Sequence, residues 1–254
     1  MISKAKSKYI RSLELKKNRT KEGAFVAEGN KVVRDLLGKY SPRMIVAVTN
    51  WLKENVLQLP KDCETIEVSE EELRKVSFLQ HPQEVLGVFH VSEPAQEWHL
   101  DEKELYLALD GVQDPGNVGT IVRIADWFGI STIFCSEDTA DVYNPKVVQA
   151  TMGSLARVNI VYTNLIKFIH SLPTNFPVYG TLLDGKNIYE QEITRNGLIV
   201  MGNEGKGISH EIAQLVTKKL LIPHYPEYKE TADSLNVAIA TAVSCAEFRR
   251  RQQF

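Results

Sequence analysis

The chain has 254 residues, 43% hydrophobic and 24% charged, with a formal net charge of −2. This is ordinary globular composition, long enough for one large or two modest domains and without an overall basic signature. Cys63, Cys135 and Cys245 are far apart and form no C-x-x-C pair, and the six histidines form no H-x-x-x-H pair, so neither a disulfide framework nor a metal site is expected. The basic start lacks a following apolar core, so it does not read as a secretory signal. No apolar run approaches the ~20 residues that span a bilayer. A reduced, cytoplasmic setting is the expectation.

Residues 1–23 hold eight basic residues (Lys4, Lys6, Lys8, Arg11, Lys16, Lys17, Arg19, Lys21) against two acids, Glu14 and Glu22, so the remainder of the chain is acidic. A basic patch binds a phosphate backbone even on a slightly acidic protein. Tyr9, Ile10, Leu13 and Leu15 supply apolar residues for a docked helix; a solvated charged helix is the plain alternative. After Phe25-Val26-Ala27-Glu28-Gly29, a helix is expected over 30–37, strands over 44–48 and 64–68, and a helix over 69–76. That last helix has Ser69 as N-cap and Glu72 at the capping-box position. A strand over 85–91 completes an alternating pattern that suits a small layered α/β domain, residues 1–92. The polar, acidic stretch 93–104 reads as a linker.

A second domain, 105–254, opens with a buried strand over 105–109, a loop carrying Pro115, Gly116, Asn117 and Gly119, a helix over 118–128 and a strand over 130–135. Further helices are expected over 145–154, 164–171 and 209–215, and strands within 155–162 and over 178–183, 198–201 and 220–222. A long helix over 234–251 is capped by Asp233 or Ser234. Its apolar stripe is Leu235, Ala238, Ile239, Ala242, Val243 and Ala246. Three strands end in unusual loops, 111–119, 202–207 and 223–236. In a parallel sheet these ends share one edge, where ligands bind. Gly-rich turns let a backbone approach a ligand closely, and Asn117, Arg123, Glu204, Ser234 and Asn236 stand nearby. Arg123 interrupts an apolar helical stretch, so it either binds an acceptor or faces solvent. GNEGKG fails the dinucleotide fingerprint and the P-loop pattern, and no G-x-S-x-G elbow occurs.

DPGNVGTIVR, IVMGNEGKGIS and LIPHYPEYKETADSLNVAIATA resemble, in order and spacing, the three motifs of the SpoU, or TrmH-type, RNA 2′-O-methyltransferases. YIRSLELKKNRTKEGAFVAEGNKVVRDLL and HPQEVLGVF resemble the substrate-binding domain found in front of that domain in many members. The resemblance implies an α/β, mostly parallel trefoil-knot methyltransferase domain behind a small α/β domain like ribosomal protein L30e. It implies S-adenosyl-L-methionine as methyl donor, gripped by backbone near Gly202, Ile222 and Leu235, with Asn203, Gly205 and Pro223 beside them. It implies a homodimer with the C-terminal helix at the interface, where Ala238, Ala242 and Ala246 would suit close packing. Asn117 and Arg123 belong to its first motif, Glu204 to the second, Ser234 and Asn236 to the third. The stretch HYPEYKETAD is longer than in many relatives and reads as a surface insertion or a substrate-contacting loop.

On this reading the chain methylates a ribose 2′-hydroxyl in structured RNA, ribosomal RNA first and transfer RNA second. Arg123 lies against phosphate and ribose and eases alkoxide formation by its charge, held by Glu204 and Asn117 and oriented by Ser234 and Asn236. Arg11, Lys16, Lys17 and Arg19 are the leading RNA contacts. The rival readings are a non-catalytic RNA-binding or ribosome-assembly factor on the same fold, and a nucleotide-dependent oxidoreductase, which the failed fingerprint disfavours.

Overall fold

The computed structural model describes residues 1–92, 100–226, 232 and 234–251. Contacts divide the chain into two compact units, Met1–Glu93 with Asp141–Arg157, and Pro94–Ala140 with Val158–Phe254.

The first unit begins with two helices rather than one, α1 (Lys4–Ser12) and α2 (Lys16–Glu22). Ile10 and Leu13 are fully buried, which pins the break between them, and Gly23, at φ 57, ends α2. Then follow β1 (Ala24–Glu28), α3 (Asn30–Leu37), β2 (Pro42–Ala47), α4 (Thr49–Asn55), β3 (Glu64–Glu67), α5 (Glu70–Val76) and β4 (Val85–His90). The strand order is β1-β4-β2-β3, with β2 and β3 parallel and the other pairs antiparallel. The reciprocal capping box of Ser69 and Glu72 is present at α5. Helix α4 was not expected; TNWLKEN shows little amphipathic signal, and Trp51 and Asn55 are its buried residues.

The second unit runs through β5 (Leu105–Asp110), α6 (Pro115–Trp127) and β6 (Thr132–Cys135). The chain then makes α7 (Pro145–Ala150), which groups with the first unit, before β7 (Asn159–Tyr162), α8 (Leu165–His170), β8 (Val178–Asn187), β9 (Gly197–Gly202), α9 (His210–Ala213), β10 (Lys218–Leu221) and α10 (Val237–Arg250). The order β10-β8-β9-β5-β6-β7 is parallel at every pair. Every residue of β5 and β9 is buried, as expected for inner strands of a parallel sheet covered on both faces.

Four expectations change. Helix α6 starts at Pro115, so the supposed loop 115–119 is its first turn; Asp114 caps it by accepting the Asn117 N–H at 2.8 Å, and Pro at the first position costs no hydrogen bond. Helix α10 is capped by Asn236, whose Oδ1 accepts from Ala238 and Ile239, not by Ser234; Asp233 lies outside the described residues. The buried face of α10 is Val237, Ala238, Thr241, Ser244, Cys245 and Phe248, with Phe248 edge-on to Tyr179 at 4.8 Å. Leu235, Ile239 and Ala246, expected in its core stripe, are exposed. Apolar residues surround this helix, so periodicity alone could not choose its inner face. Strand β8 also runs longer than expected. Its pairing with β10 jumps from Lys219 opposite Gly180 to Leu220 opposite Lys186, so residues 181–185 leave the ladder.

Candidate functional site

Beyond the carboxyl ends of β8, β9 and β10 lies a cavity of about 580 Å³. Its lining comes from four segments: Thr181–Asp184, Met201–Ile208, Leu220–Ile222, and Ser234, Leu235, Val237 and Ala240. The second segment is a closed backbone loop. Asn203 and Gly207 exchange N–H···O bonds, both 2.9 Å. A Cβ at Gly202 would sit 2.2 Å from the Gly207 carbonyl carbon and the Ile208 nitrogen, so the loop closes only over a glycine. The Asn203 side chain holds the loop from within and without. Its Oδ1 accepts the Gly205 and Lys206 N–H groups at 3.0 Å, and its Nδ2 donates to Gly111 O at 2.7 Å, at the end of β5. Gly185 similarly permits the β8 excursion, since a Cβ there would lie 2.6 Å from the Leu220 carbonyl carbon.

A polar relay joins the three loops. Glu204 accepts backbone N–H bonds from Gln113 (3.2 Å) and Asp114 (3.0 Å) and the Asn117 Nδ2 (3.1 Å). Asn117 Oδ1 in turn accepts from Asn236 Nδ2 at 2.9 Å. Glu204 therefore binds the start of α6, where the helix dipole also favours a negative charge. Desolvation pushes its carboxyl up, but the bonds from Asn117 and from the backbone of Asp114, Glu204 and Gln113 outweigh it, and its pKa is lowered below the ordinary value.

Asn117, Glu204 and Asn236 thus come together as the spacing suggested. Arg123 does not join them. Six residues along a helix carry it about 9 Å up the axis and roughly 240° around. It is exposed, is not in the cavity lining, and has no hydrogen bond or ion pair among the described residues, so the expectation that Glu204 and Asn117 hold it is corrected. Ser234 is exposed and lines the cavity. Of the residues expected around the donor, Gly202, Asn203, Gly205, Ile222 and Leu235 line the cavity, and half-buried Pro223 does not. Thr181–Asp184 were missed. The polar, glycine-containing end of an apolar strand was the available signal, since glycine inside a strand often marks a bulge.

In the first unit, Lys16 and Lys17 are exposed on α2. Arg11 is exposed but donates to Ser77 O at 2.6 Å and stacks over Phe78 at 4.8 Å. Arg19 is corrected outright as an RNA contact. It is 3% exposed, and its guanidinium is used on Asp141 (3.1 and 2.5 Å), Leu13 O (2.9 Å) and Glu14 O (2.7 Å).

A parallel α/β sheet with a partly apolar cavity at its carboxyl edge, walled by backbone turns, defines a domain that binds a nucleoside-sized ligand. Cavity residues include Asp184 and Glu204 against Lys206, so a ligand carrying a positive centre meets no cationic excess. Comparison with known proteins gives the family. The model of the SpoU rRNA methylase family matches residues 104–246, and that of the MRM3-like substrate binding domain matches residues 4–87. The chain belongs to the SpoU rRNA methylase family. It is 32% identical to the 23S rRNA (guanosine(2553)-2′-O)-methyltransferase RlmP of Bacillus subtilis, over 95% of this chain and 96% of that one. Among solved structures it resembles a putative RNA methyltransferase of the TrmH family from Porphyromonas gingivalis (42% identity, 99% of both chains, TM-score 0.86). It also resembles an AdoMet-bound rRNA methyltransferase from Sinorhizobium meliloti (32% identity, 99% of this chain and 96% of that one, TM-score 0.86).

No helix among the described residues is long and apolar enough to cross a membrane. The same residues contain no group of three or more His, Cys, Asp or Glu placed to hold a metal.

Proposed function

We propose that the chain transfers a methyl group from S-adenosyl-L-methionine to a ribose 2′-hydroxyl of ribosomal RNA, in the cytoplasm and as a homodimer. The cavity over the Gly202–Ile208 loop carries this reading, because its size, apolar walls and tight backbone turns suit a bent nucleoside. The bacterial 23S rRNA relative, matched almost end to end, supports ribosomal RNA as the acceptor. Residues 1–92, joined in one unit by 141–157, serve as the RNA-binding domain, and the rest of 105–254 as the transferase domain. The trefoil knot expected of the family would bring segments 181–184, 201–208 and 234–240 around one ligand, in keeping with their shared lining of the cavity.

The bound donor supplies an electrophilic methyl on a sulfonium. The chain must present the hydroxyl oxygen in line with that carbon and dispose of its proton. A guanidinium is charged throughout the working range, so Arg123, exposed outside the cavity lining, acts on the RNA as a charged planar fork of donors: it stabilises the developing alkoxide and the neighbouring phosphate. Glu204, Asn117 and Asn236 hold the start of α6, and with it the helix that carries Arg123; Ser234 faces the ligand from α10's side. Homodimerisation is supported by apolar exposure on α6 and α10, where Trp127 is 85% and Ile239 53% exposed.

Purified protein, labelled donor and ribosomal RNA test the proposal. Label should appear as a 2′-O-methyl nucleotide at one mapped position. Label on a base, or none on ribosomal RNA, refutes the assignment.

A further inference from the structure

Helix α7 does not end on a glycine. Its cap Thr151 is helical, and the residue that turns into the left-handed region is Met152, at φ 52, the one non-glycine residue with positive φ among the described residues. That position usually takes Gly or Asn, because a longer side chain is strained there. Gly153, at φ 94, follows at once. Met152 is 39% exposed, so its side chain is displayed to solvent at a strained turn. Strain of this kind gathers at ligand-contacting positions.

The turn is held against α3 by charge. Lys31 Nζ donates to Met152 O at 3.0 Å and to Asp35 Oδ2 at 2.7 Å, and Arg157 Nη1 reaches the same Asp35 oxygen at 3.2 Å. The Lys31 and Arg157 side chains are 61% and 48% exposed. One carboxylate thus faces two exposed cations beside a protruding methionine. Arg34, one turn along α3 on the same side, is exposed and has Glu54 at 3.6 Å. Exposed cations on either side of a polarisable apolar side chain match the chemistry of a single-stranded nucleic acid: phosphates for the cations, and a base face for the thioether.

We propose that the Thr151–Gly153 turn, with Lys31 and Arg157, is an RNA-contacting surface on which Met152 lies against an unstacked base and the two cations engage the flanking phosphates. This rests on the reading of the chain as an RNA methyltransferase. It adds a base-contacting point built from α3 and the 141–157 segment, separate from the lysines of α2.

The test is methylation and binding of ribosomal RNA by Met152→Asn, Met152→Gly and Met152→Leu. Asn and Gly suit the left-handed backbone and lack the apolar arm; Leu keeps it. The Asn and Gly variants should melt at or above the wild-type temperature, bind S-adenosyl-L-methionine as wild type does, and show a KM for RNA raised at least about fivefold. The Leu variant should keep the wild-type KM. Lys31→Gln with Arg157→Gln should lower the salt dependence of RNA binding by about two counterions. Wild-type KM in both the Asn and Gly variants overturns the base contact, and an unchanged salt slope in the double variant overturns the phosphate contacts. If the unaltered protein methylates no RNA, the functional reading beneath the proposal fails instead.

Discussion

Replacing Arg19 with alanine separates architecture from RNA binding. Arg19 is 3% exposed and its Asp141 partner 16%. Its guanidinium also satisfies the carbonyls of Leu13 and Glu14, at the break between α1 and α2. Removing one member of a buried ion pair costs about 3–5 kcal/mol. Asp141 regains some water in the variant, so the low end, about 3 kcal/mol, is expected. At this chain length each kcal/mol moves the melting temperature by about 2–4 °C, giving a fall of roughly 6–12 °C. Thermal unfolding followed by circular dichroism measures it directly. Arg19→Lys keeps the charge but loses the fork of donors, and should recover only part of the loss. In contrast, Lys16→Glu with Lys17→Glu alters exposed side chains, shifts stability by less than about 1 kcal/mol, and should weaken RNA binding with a shallower salt dependence. A fall of under 2 °C in Arg19→Ala would refute the buried-anchor assignment; unchanged RNA affinity in the Lys16 and Lys17 double variant would remove α2 from the RNA surface.

Arg123→Lys retains a charge and loses the planar fork. A fall in kcat of about 10²-fold with unchanged donor affinity is expected, and near-wild-type turnover would show that a simple positive charge suffices. Glu204 has a lowered pKa, so its contribution is full above the ordinary carboxylate value of 4.5 and is lost as pH falls through the depressed one. Glu204→Gln should therefore weaken the site at neutral pH and flatten the acid limb of its stability profile; an identical acid limb would show that the carboxylate is not what holds the start of α6.

The parallel sheet was readable because its inner strands are continuous apolar runs, and the gathering of Asn117, Glu204 and Asn236 at one edge because they stand in segments that follow its strands; that these residues bond to one another rather than to Arg123 was not readable. Gly202, Asn203, Glu204, Asn117 and Asn236 all fall where the motifs put them. The start of α6 was misread because Pro and Gly signal a loop in isolation, whereas Asp114 converts the same residues into a capped first turn. Helix α10 defeated periodicity because its outer face is as apolar as its inner one. Arg19 looked like a surface cation because its partner, Asp141, is 122 residues away, and charge counting along a chain carries no such pairing. The β8 excursion depended on a close approach between Gly185 and Leu220, a tertiary contact without a local signature.

Calorimetric titration of the purified protein with S-adenosyl-L-methionine tests most directly whether the cavity is the donor site. Saturable heat at about one site per chain is expected in the unaltered protein. It should vanish in Gly202→Ala, where the added Cβ would lie 2.2 Å from the facing backbone. No heat with the donor or its demethylated product, or undiminished binding by a folded Gly202→Ala variant, would contradict the assignment.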